Sequence, residues 1–255
     1  MYDLENYLKI PKKIEYFEEI TSTNSVLKER AQKGENENVV LLSEFQTAGR
    51  GRLGKTFFSP KGCGIYLSYL IRPDIAAQDA TFITVAAAVA LKRAFSDILN
   101  IETQIKWVND IYYQDKKLCG ILTEAGYTRD GKIDYAVLGV GINVKNPPFD
   151  YPEDFAYKTT NIERISGIPD EDTKCCLVAS FLNNFDKIFA DKTKSYMKEY
   201  KEASCIIGKE VEILSGKYKG YAKAIDIDEN ASLIVLLPDG REVSLSSGDV
   251  SMRYL

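Results

Sequence analysis

Histidine is absent from this chain of 255 residues. Because histidine is the most common general base in enzymes and a frequent zinc ligand, its absence excludes His-containing catalytic triads and leaves no histidine to complete a zinc site. The five cysteines are an odd number without CxxC spacing, so we expect reduced thiols rather than a disulfide framework. Any catalysis must therefore rest on lysine, arginine, carboxylates, amides or a metal ion.

The chain also lacks an excess of basic residues and a long apolar run near its start. Its formal net charge is -4, so no global positive field favours DNA as a partner. The opening stretch MYDLENYLKIPKK carries acids early and contains neither a signal-peptide core nor a membrane span. We therefore expect a cytoplasmic protein with neither DNA nor a membrane as its partner.

What is present predicts an α+β fold. Residues 79–100 are alanine-rich and long enough for a stable helix, and a second helix is predicted from about Asp172 to Tyr200. Between them, β-rich runs joined by short polar turns predict a meander. From Cys205 onward, short strands separated by Gly, Asn and Asp turns indicate a small barrel or sandwich. We place the boundary between a domain of residues 1–206 and one of residues 207–255.

The stretch AGRGRLGKTFF matches both the P-loop spacing and the dinucleotide-binding spacing of glycines. Both motifs require the loop to open a helix, but Pro60, Gly62 and Gly64 follow and an alternating strand comes next. We therefore interpret both matches as accidental. What remains is a cationic glycine-rich loop, either an anion clamp that closes over a ligand or a solvated basic turn.

Five motifs then occur in a specific order. They are STN (Ser22–Asn24), GRGRLG (residues 49–54), KWVND (Lys106–Asp110), KKLCGILTE (Lys116–Glu124) and GVGIN (Gly139–Asn143). In this order they resemble the biotin–protein ligase family, whose usual forms are STN, GRGRxG, KWPND, KLAGIL and GxGIN. The C-terminal β-rich segment is similar to the SH3-like domain that ends these ligases, so the resemblance covers nearly the whole chain.

The resemblance implies a mixed β-sheet catalytic domain related to class II aminoacyl-tRNA synthetases, with a small C-terminal SH3-like β-barrel. It implies that biotin attacks the α-phosphate of ATP, with Mg²⁺, to give biotinyl-5'-AMP, which then modifies a lysine of a biotin carboxyl carrier protein. The substrate carboxylate is the nucleophile, so no histidine is needed. Because many relatives pair through an edge of the central sheet, the resemblance leaves a homodimer open.

Site residues follow from the same resemblance. Lys117 and Arg52 are the implied catalytic residues, and Asp110 is the implied Mg²⁺ ligand. The residues implied to bind biotin are Ser22, Thr23, Asn24, Gln46, Arg50, Gly51, Arg52, Lys117, Gly139 and Gly141. The residues implied to bind ATP are Arg52, Lys55, Lys106, Asn109, Asp110, Lys117 and Asn143.

Local structure offers an alternative explanation for some of these residues. Ser22–Asn24 also suits a helix N-cap, and Asn109–Asp110 also suits a capped turn between strands. Two positions depart from the family pattern, since Val108 replaces proline and Cys119 replaces alanine. We expect the Cys119 side chain to line the pocket wall.

Other functions stay open at this point. A lipoate–protein ligase shares the general fold and the adenylate chemistry, although it typically lacks the GRGRxG and KWPND pair. A P-loop nucleotide switch and a non-catalytic binding module are further alternatives. Repressor members of the family carry a DNA-binding module ahead of the ligase domain, and the 21 residues before Ser22 are too few for one. We therefore expect a monofunctional ligase.

Overall fold

The computed structural model describes residues 4–147, 158–214, 216–246 and 250–252. Its larger sheet has seven strands in the order β1-β2-β3-β7-β6-β5-β4. These strands are β1 (Lys13–Phe17), β2 (Val39–Ser43), β3 (Gly64–Ile71), β4 (Gln104–Lys106), β5 (Asp110–Tyr113), β6 (Lys116–Tyr127) and β7 (Ile133–Asn143). The pair β1–β2 is parallel and the other pairs are antiparallel. The predicted mixed sheet and α+β class are therefore confirmed.

Helices cover both faces of this sheet. The helices are α1 (Thr23–Gln32), α2 (Thr81–Leu99), α3 (Ile162–Ser166), α4 (Glu171–Phe189) and α5 (Tyr196–Glu202). On one face, Leu27 of α1 packs in a small cluster with Leu70 and Val137. On the other face, α2 and α4 contribute to the main core together with Leu67 and Leu138. Because successive strand residues point to opposite faces, each strand serves both layers.

The second long helix differs from the prediction, because α4 and α5 stand where a single helix from about Asp172 to Tyr200 was predicted. The chain leaves α4 after Phe189 and begins α5 at Tyr196. Between them, the Asp191 carboxylate accepts hydrogen bonds from the backbone N–H groups and hydroxyls of Thr193 and Ser195. Such side-chain bonds compete with helical backbone bonds and end the helix.

The C-terminal segment forms a separate five-stranded antiparallel sheet in the order β11-β10-β9-β8-β12. Its strands are β8 (Glu210–Ile213), β9 (Gly220–Ile227), β10 (Leu233–Leu236), β11 (Glu242–Leu245) and β12 (Val250–Met252). Within the described ranges β11 and β12 are its two edges, so the sheet is open and the predicted barrel is not closed. The predicted small β-domain is otherwise confirmed.

Two buried hydrogen bonds hold the KWVND segment against the C-terminal part of the chain. Trp107 Nε1 donates to the carbonyl of Ala231 at 2.8 Å, and the Tyr200 hydroxyl donates to the carbonyl of Val108 at 3.0 Å. The peptide bond between Trp107 and Val108 is cis. The segment that departs from the family pattern is thus positioned by tertiary contacts, and Trp107 packs in the core.

We expect Tyr200→Phe to lower the free energy of unfolding by about 1–2 kcal/mol, because the buried Val108 carbonyl loses its donor. Urea unfolding measures the change. The control is Lys201→Met, which removes a more exposed ion pair with Asp226 and should cost less than about 1 kcal/mol. Equal effects of the two substitutions would contradict the assigned importance of the Tyr200 hydrogen bond.

All five cysteines are free thiols, as predicted, and only Cys176 among them is not buried. Burial raises the pKa of the Cys119 thiol and raises that of Cys205 to about 11. Because the thiolate is the reactive form, iodoacetamide at pH 8 should label Cys176 in the native protein and all five cysteines in urea. Mass spectrometry of the labelled peptides checks this, and rapid native labelling at Cys119 would disprove it.

Within the part of the chain that the structure describes, no helix combines the length and apolarity needed to cross a membrane.

Candidate active site

The site lies where several small residues stand on the sheet face under α1. On this face, β3 carries Ser68, β7 carries Gly139 and Gly141, and β6 carries Gly120. Residues of ordinary size at these positions would fill the space beside the N-terminus of α1. The small residues therefore leave a depression between the helix and the sheet.

The STN motif forms the start of α1 and one wall of this depression. Ser22 is the N-cap, and its hydroxyl accepts a bond from the Ser25 backbone N–H. Thr23 donates from its backbone and its hydroxyl to Gln46 Oε1, at 2.9 and 3.1 Å. The cap interpretation is therefore correct for Ser22. Thr23 and Gln46 form hydrogen bonds with each other beside the depression.

Asn24 lies against the backbone of β7. Its Oδ1 accepts a 2.6 Å bond from the Ser68 hydroxyl, and its Nδ2 donates to the Leu122 carbonyl at 3.2 Å. A Cβ atom at Gly139 would overlap Asn24 Oδ1. Glycine at this position is thus required by the close approach of a buried side chain rather than by a turn.

Two adjoining cavities occupy the depression. The inner cavity has a volume of about 50 Å³ and lies between α1 and the sheet. Of the residues implied to bind biotin, all except Ser22 line it: Thr23, Asn24, Gln46, Arg50, Gly51, Arg52, Lys117, Gly139 and Gly141.

The outer cavity is larger, with a volume of about 460 Å³. Every residue implied to bind ATP lines it: Arg52, Lys55, Lys106, Asn109, Asp110, Lys117 and Asn143. The structure thus assembles the two predicted sets in two neighbouring cavities. What these residues bind remains a prediction.

The two cavities meet at Arg52 and Lys117, which line both. Arg52 Nη1 donates to Asn109 Oδ1 at 3.0 Å, and Lys117 Nζ lies 2.7 Å from Asp110 Oδ1. Two cations with half-buried side chains therefore stand at the junction, each held by a residue of the KWVND motif. Such a junction suits the approach of two anions.

A register shift in the sheet brings Lys117 to this junction. The pairing of β5 with β6 shifts between Ile111 and Tyr112, so Lys117 lies opposite Tyr112 while Cys119 lies opposite Ile111. Lys117 consequently shares a face with Gly120, whose Cβ would meet its Nζ at 3.0 Å. Irregular pairing of this kind re-aims side chains near functional sites.

Cys119 is placed differently from the prediction. It is fully buried in the main core with Leu118 and Ile142, on the face away from the inner cavity. The expectation that it lines the pocket wall is wrong, because strand alternation turns the residue before Gly120 toward α2.

The glycine-rich loop folds as a tight hairpin. Gly51 N–H donates to the Lys55 carbonyl at 2.7 Å, and Phe57 N–H donates to the Gly49 carbonyl at 2.9 Å. The chain then enters β3 at Gly64 without an intervening helix. The P-loop and dinucleotide interpretations are therefore excluded by the structure, as the proline and glycines predicted.

Phe57 is a site residue that the sequence reasoning missed. It lines both cavities, and its ring occupies the space that a Cβ would take at Gly141. The Lys117 ammonium lies 5.9 Å from the ring centroid. The aromatic pair that follows the basic loop in the sequence was the available signal.

A third cavity of about 190 Å³ borders Arg52 and Asn109 as well. It is lined by Thr84 of α2, by Thr123 on the α2 face of β6, and by Ser246, which follows β11. The junction is therefore bordered by cavities on both faces of β6.

Comparison with known proteins agrees with this architecture. Residues 16–143 match the sequence profile of the Biotin/lipoate A/B protein ligase family. The chain belongs to this family. Residues 206–253 match the biotin protein ligase C-terminal domain, which confirms the resemblance to biotin–protein ligases.

Individual family members support the same assignment. The biotin–[acetyl-CoA-carboxylase] ligase of Mycobacterium tuberculosis is 31% identical over 235 residues, which cover 90% of this chain and 85% of that protein. The bifunctional ligase/repressor BirA of Bacillus subtilis is 29% identical over 241 residues, which cover 93% of this chain and 73% of that protein.

Solved structures of family members share the fold. The biotin protein ligase of Aquifex aeolicus in complex with biotin and ATP superimposes with a TM-score of 0.75 at 25% identity. The superposition covers 95% of this chain and 99% of the Aquifex chain. Both the α+β domain and the C-terminal sheet are therefore common to the two proteins.

Proposed function

We propose that this protein activates biotin with ATP to form biotinyl-5'-AMP and transfers the biotinyl group to a lysine of a biotin carboxyl carrier protein. The observation that carries the proposal is the junction of the two cavities at Arg52 and Lys117. The Aquifex relative, which shares the fold, was crystallised with both biotin and ATP. In this proposal residues 1–206 form the catalytic domain, and residues 207–255 form the accessory SH3-like domain.

The inner cavity takes biotin. The ureido ring needs both donors and acceptors at one end of a pocket, and Thr23, Asn24 and Gln46 offer hydroxyl and amide groups there. The carboxylate end of biotin then points to the junction, where Arg52 and Lys117 balance its charge. Because the inner cavity is small in this structure, we propose that Phe57 moves when biotin binds.

The outer cavity takes ATP, with Lys55 and Lys106 near the phosphates. Among the described residues that line this cavity, Asp110 is the one acid, and the described ranges contain no cluster of three or more acids or cysteines arranged to hold a metal ion. A single carboxylate fits Mg²⁺, which commonly takes its other ligands from phosphate oxygens and water. Asp110 is the proposed ligand, and the bound ion would neutralise phosphate charge.

The first step requires the biotin carboxylate oxygen to attack the α-phosphorus, with pyrophosphate as the leaving group. Lys117 and Arg52 lower the repulsion between the two anions and stabilise the charge that develops on the α-phosphate oxygens. Lys117 is paired with Asp110, so its charge is balanced until phosphate competes for it.

In the second step an acceptor lysine amine attacks the carbonyl of the mixed anhydride and releases AMP. We propose that the amine reaches the junction through the third cavity, because biotin and ATP occupy the other two. One wall of this cavity is polar, because the hydroxyls of Thr84 and Thr123 lie there and form a hydrogen bond of 2.8 Å with each other.

ATP–pyrophosphate exchange tests the proposal without the acceptor protein. Purified protein with Mg²⁺ should catalyse exchange that depends on biotin and not on lipoate. Exchange with lipoate alone would replace the proposal with a lipoate–protein ligase. Absence of exchange with either acid would contradict adenylate chemistry and favour a binding module.

A further inference from the structure

One acid at the inner cavity belongs to none of the roles assigned above. Glu124 projects from β6 on the face under α1, next to the walls of the inner cavity, and its side chain is only 13% exposed. Buried acids usually hold specific partners, because an uncompensated charge away from water is costly. The partners of Glu124 therefore indicate what it does.

Three groups converge on this carboxylate. Oε2 accepts a 3.2 Å bond from Asn24 Nδ2, and Oε1 accepts a 2.9 Å bond from Lys28 Nζ. Arg50 Nη2 lies 3.3 Å from the same Oε1. Two of these partners, Asn24 and Arg50, line the inner cavity.

The bond to Asn24 determines how its amide is oriented. The Nδ2 group donates to both Glu124 and the Leu122 carbonyl, so its two hydrogens are used on the side of β6. A flipped amide would place Oδ1 against a carboxylate and a carbonyl, which are both acceptors. Asn24 must therefore present Oδ1, an acceptor, on the side of Ser68 and the cavity.

The ion pair with Arg50 connects Glu124 to the glycine-rich loop. The Arg50 side chain is 46% exposed, and besides Glu124 it has a long contact of 3.4 Å with the Ser25 hydroxyl. An arginine on a glycine-rich loop loses considerable conformational freedom when it is fixed, so a charged anchor matters for its position.

Glu124 keeps its charge at neutral pH. Burial alone raises the pKa of this carboxyl, but hydrogen bonds from Lys28 and Asn24 and the charges of Arg50 and Lys28 outweigh burial and hold the pKa below its usual value. The anchor is thus a carboxylate throughout the pH range in which activity would be measured.

We propose that Glu124 is a positioning residue for biotin, which fixes Asn24 with its amide oxygen toward the ureido N–H and holds Arg50 at the mouth of the inner cavity. The inference rests on the proposed function, since it names biotin as the ligand. Glu124 acts through its two partners and does not itself touch the reacting atoms.

The test compares Glu124→Gln and Glu124→Leu with wild type by calorimetric titration of biotin and by biotin-dependent exchange. Glutamine keeps an oxygen that can accept from Asn24 but removes the charge that anchors Arg50, so we expect biotin affinity to fall about threefold to tenfold. Leucine removes both the hydrogen-bond acceptor for Asn24 and the charge that anchors Arg50, and we expect biotin affinity to fall more than about tenfold. KM for biotin should rise more than kcat falls.

Glu15→Gln is the matched control. Glu15 on β1 accepts a 2.8 Å bond from Arg30 of α1, so it also ties the helix to the sheet, but neither residue lines the described cavities. Its substitution should lower stability slightly and leave biotin affinity within about twofold of wild type. A purely structural role for Glu124 predicts that the two substitutions behave alike, which would overturn the proposal.

A double-mutant cycle identifies the route of action. In an Asn24→Ala background, Glu124→Leu should lose part of its effect, because the amide it orients is gone. Fully multiplicative losses would overturn the coupling to Asn24. Wild-type protein that binds no biotin would refute the proposed function and this inference together, whereas normal binding by both Glu124 variants would refute this inference alone.

Discussion

Replacing Lys117 with methionine should reduce biotin-dependent pyrophosphate exchange by about 100-fold to 1,000-fold, the usual cost of removing one group that stabilises developing charge. Lys117 lines both cavities, so it can contact both the proposed carboxylate and the proposed phosphate. Methionine keeps much of the chain length while removing the charge. The loss should appear mainly in kcat, with smaller changes in KM for ATP and biotin.

Lys116→Met is the control for this substitution. Lys116 precedes Lys117 on β6, but it is exposed and lines neither cavity. The control should retain wild-type exchange within about twofold, since surface substitutions rarely exceed 0.5 kcal/mol in effect. Equal activity in the Lys117 and Lys116 variants would remove Lys117 from the mechanism.

Gly139→Ala should weaken biotin binding by about 100-fold, because the added methyl overlaps Asn24 Oδ1. Asn24 is held by Ser68, Leu122 and Glu124, so it cannot move without breaking hydrogen bonds that are buried or partly buried. The same clash should lower the free energy of unfolding by about 1–3 kcal/mol. Calorimetry with biotin and urea unfolding measure the two effects separately.

Gly126→Ala separates the two effects. Its added methyl would overlap the ring of Tyr135, again between β6 and β7, but outside the inner cavity. This variant should be destabilised to a similar extent and bind biotin normally. If Gly126→Ala weakens biotin binding as strongly as Gly139→Ala, general strain of the sheet would explain both results and the inner cavity would lose its assignment.

Local patterns predicted the regular elements well. Residues 79–100 were predicted as a helix and α2 extends over Thr81–Leu99, because alanine content and apolar spacing act within a few turns. The helix start at Ser22 and the absence of a helix after the glycine-rich loop also depend on neighbouring residues only. The break between α4 and α5 was missed although it is also local, since Asp191 accepts bonds from Thr193 and Ser195, only two and four residues later.

The fold brings the residues of the ordered motifs together as a group. Apart from Ser22, which caps α1, every residue of the implied biotin and ATP sets lies at the inner or outer cavity. Phe57 and Glu124 were missed because neither the aromatic pair after the basic loop nor the acid that ends KKLCGILTE shows by itself which groups it will contact. Their importance appears only when Gly141 and Asn24 are seen beside them.

Composition and spacing along the chain were enough to identify the family, the α+β class and the ordered motifs, and to exclude histidine-based chemistry. Which side chains meet depends on how the chain folds. The register shift that turns Lys117 toward the junction, the core position of Cys119 and the anchoring of Asn24 by Glu124 all arise from pairing between distant strands. Strand register is a property of two segments at once, so no single stretch of sequence specifies it.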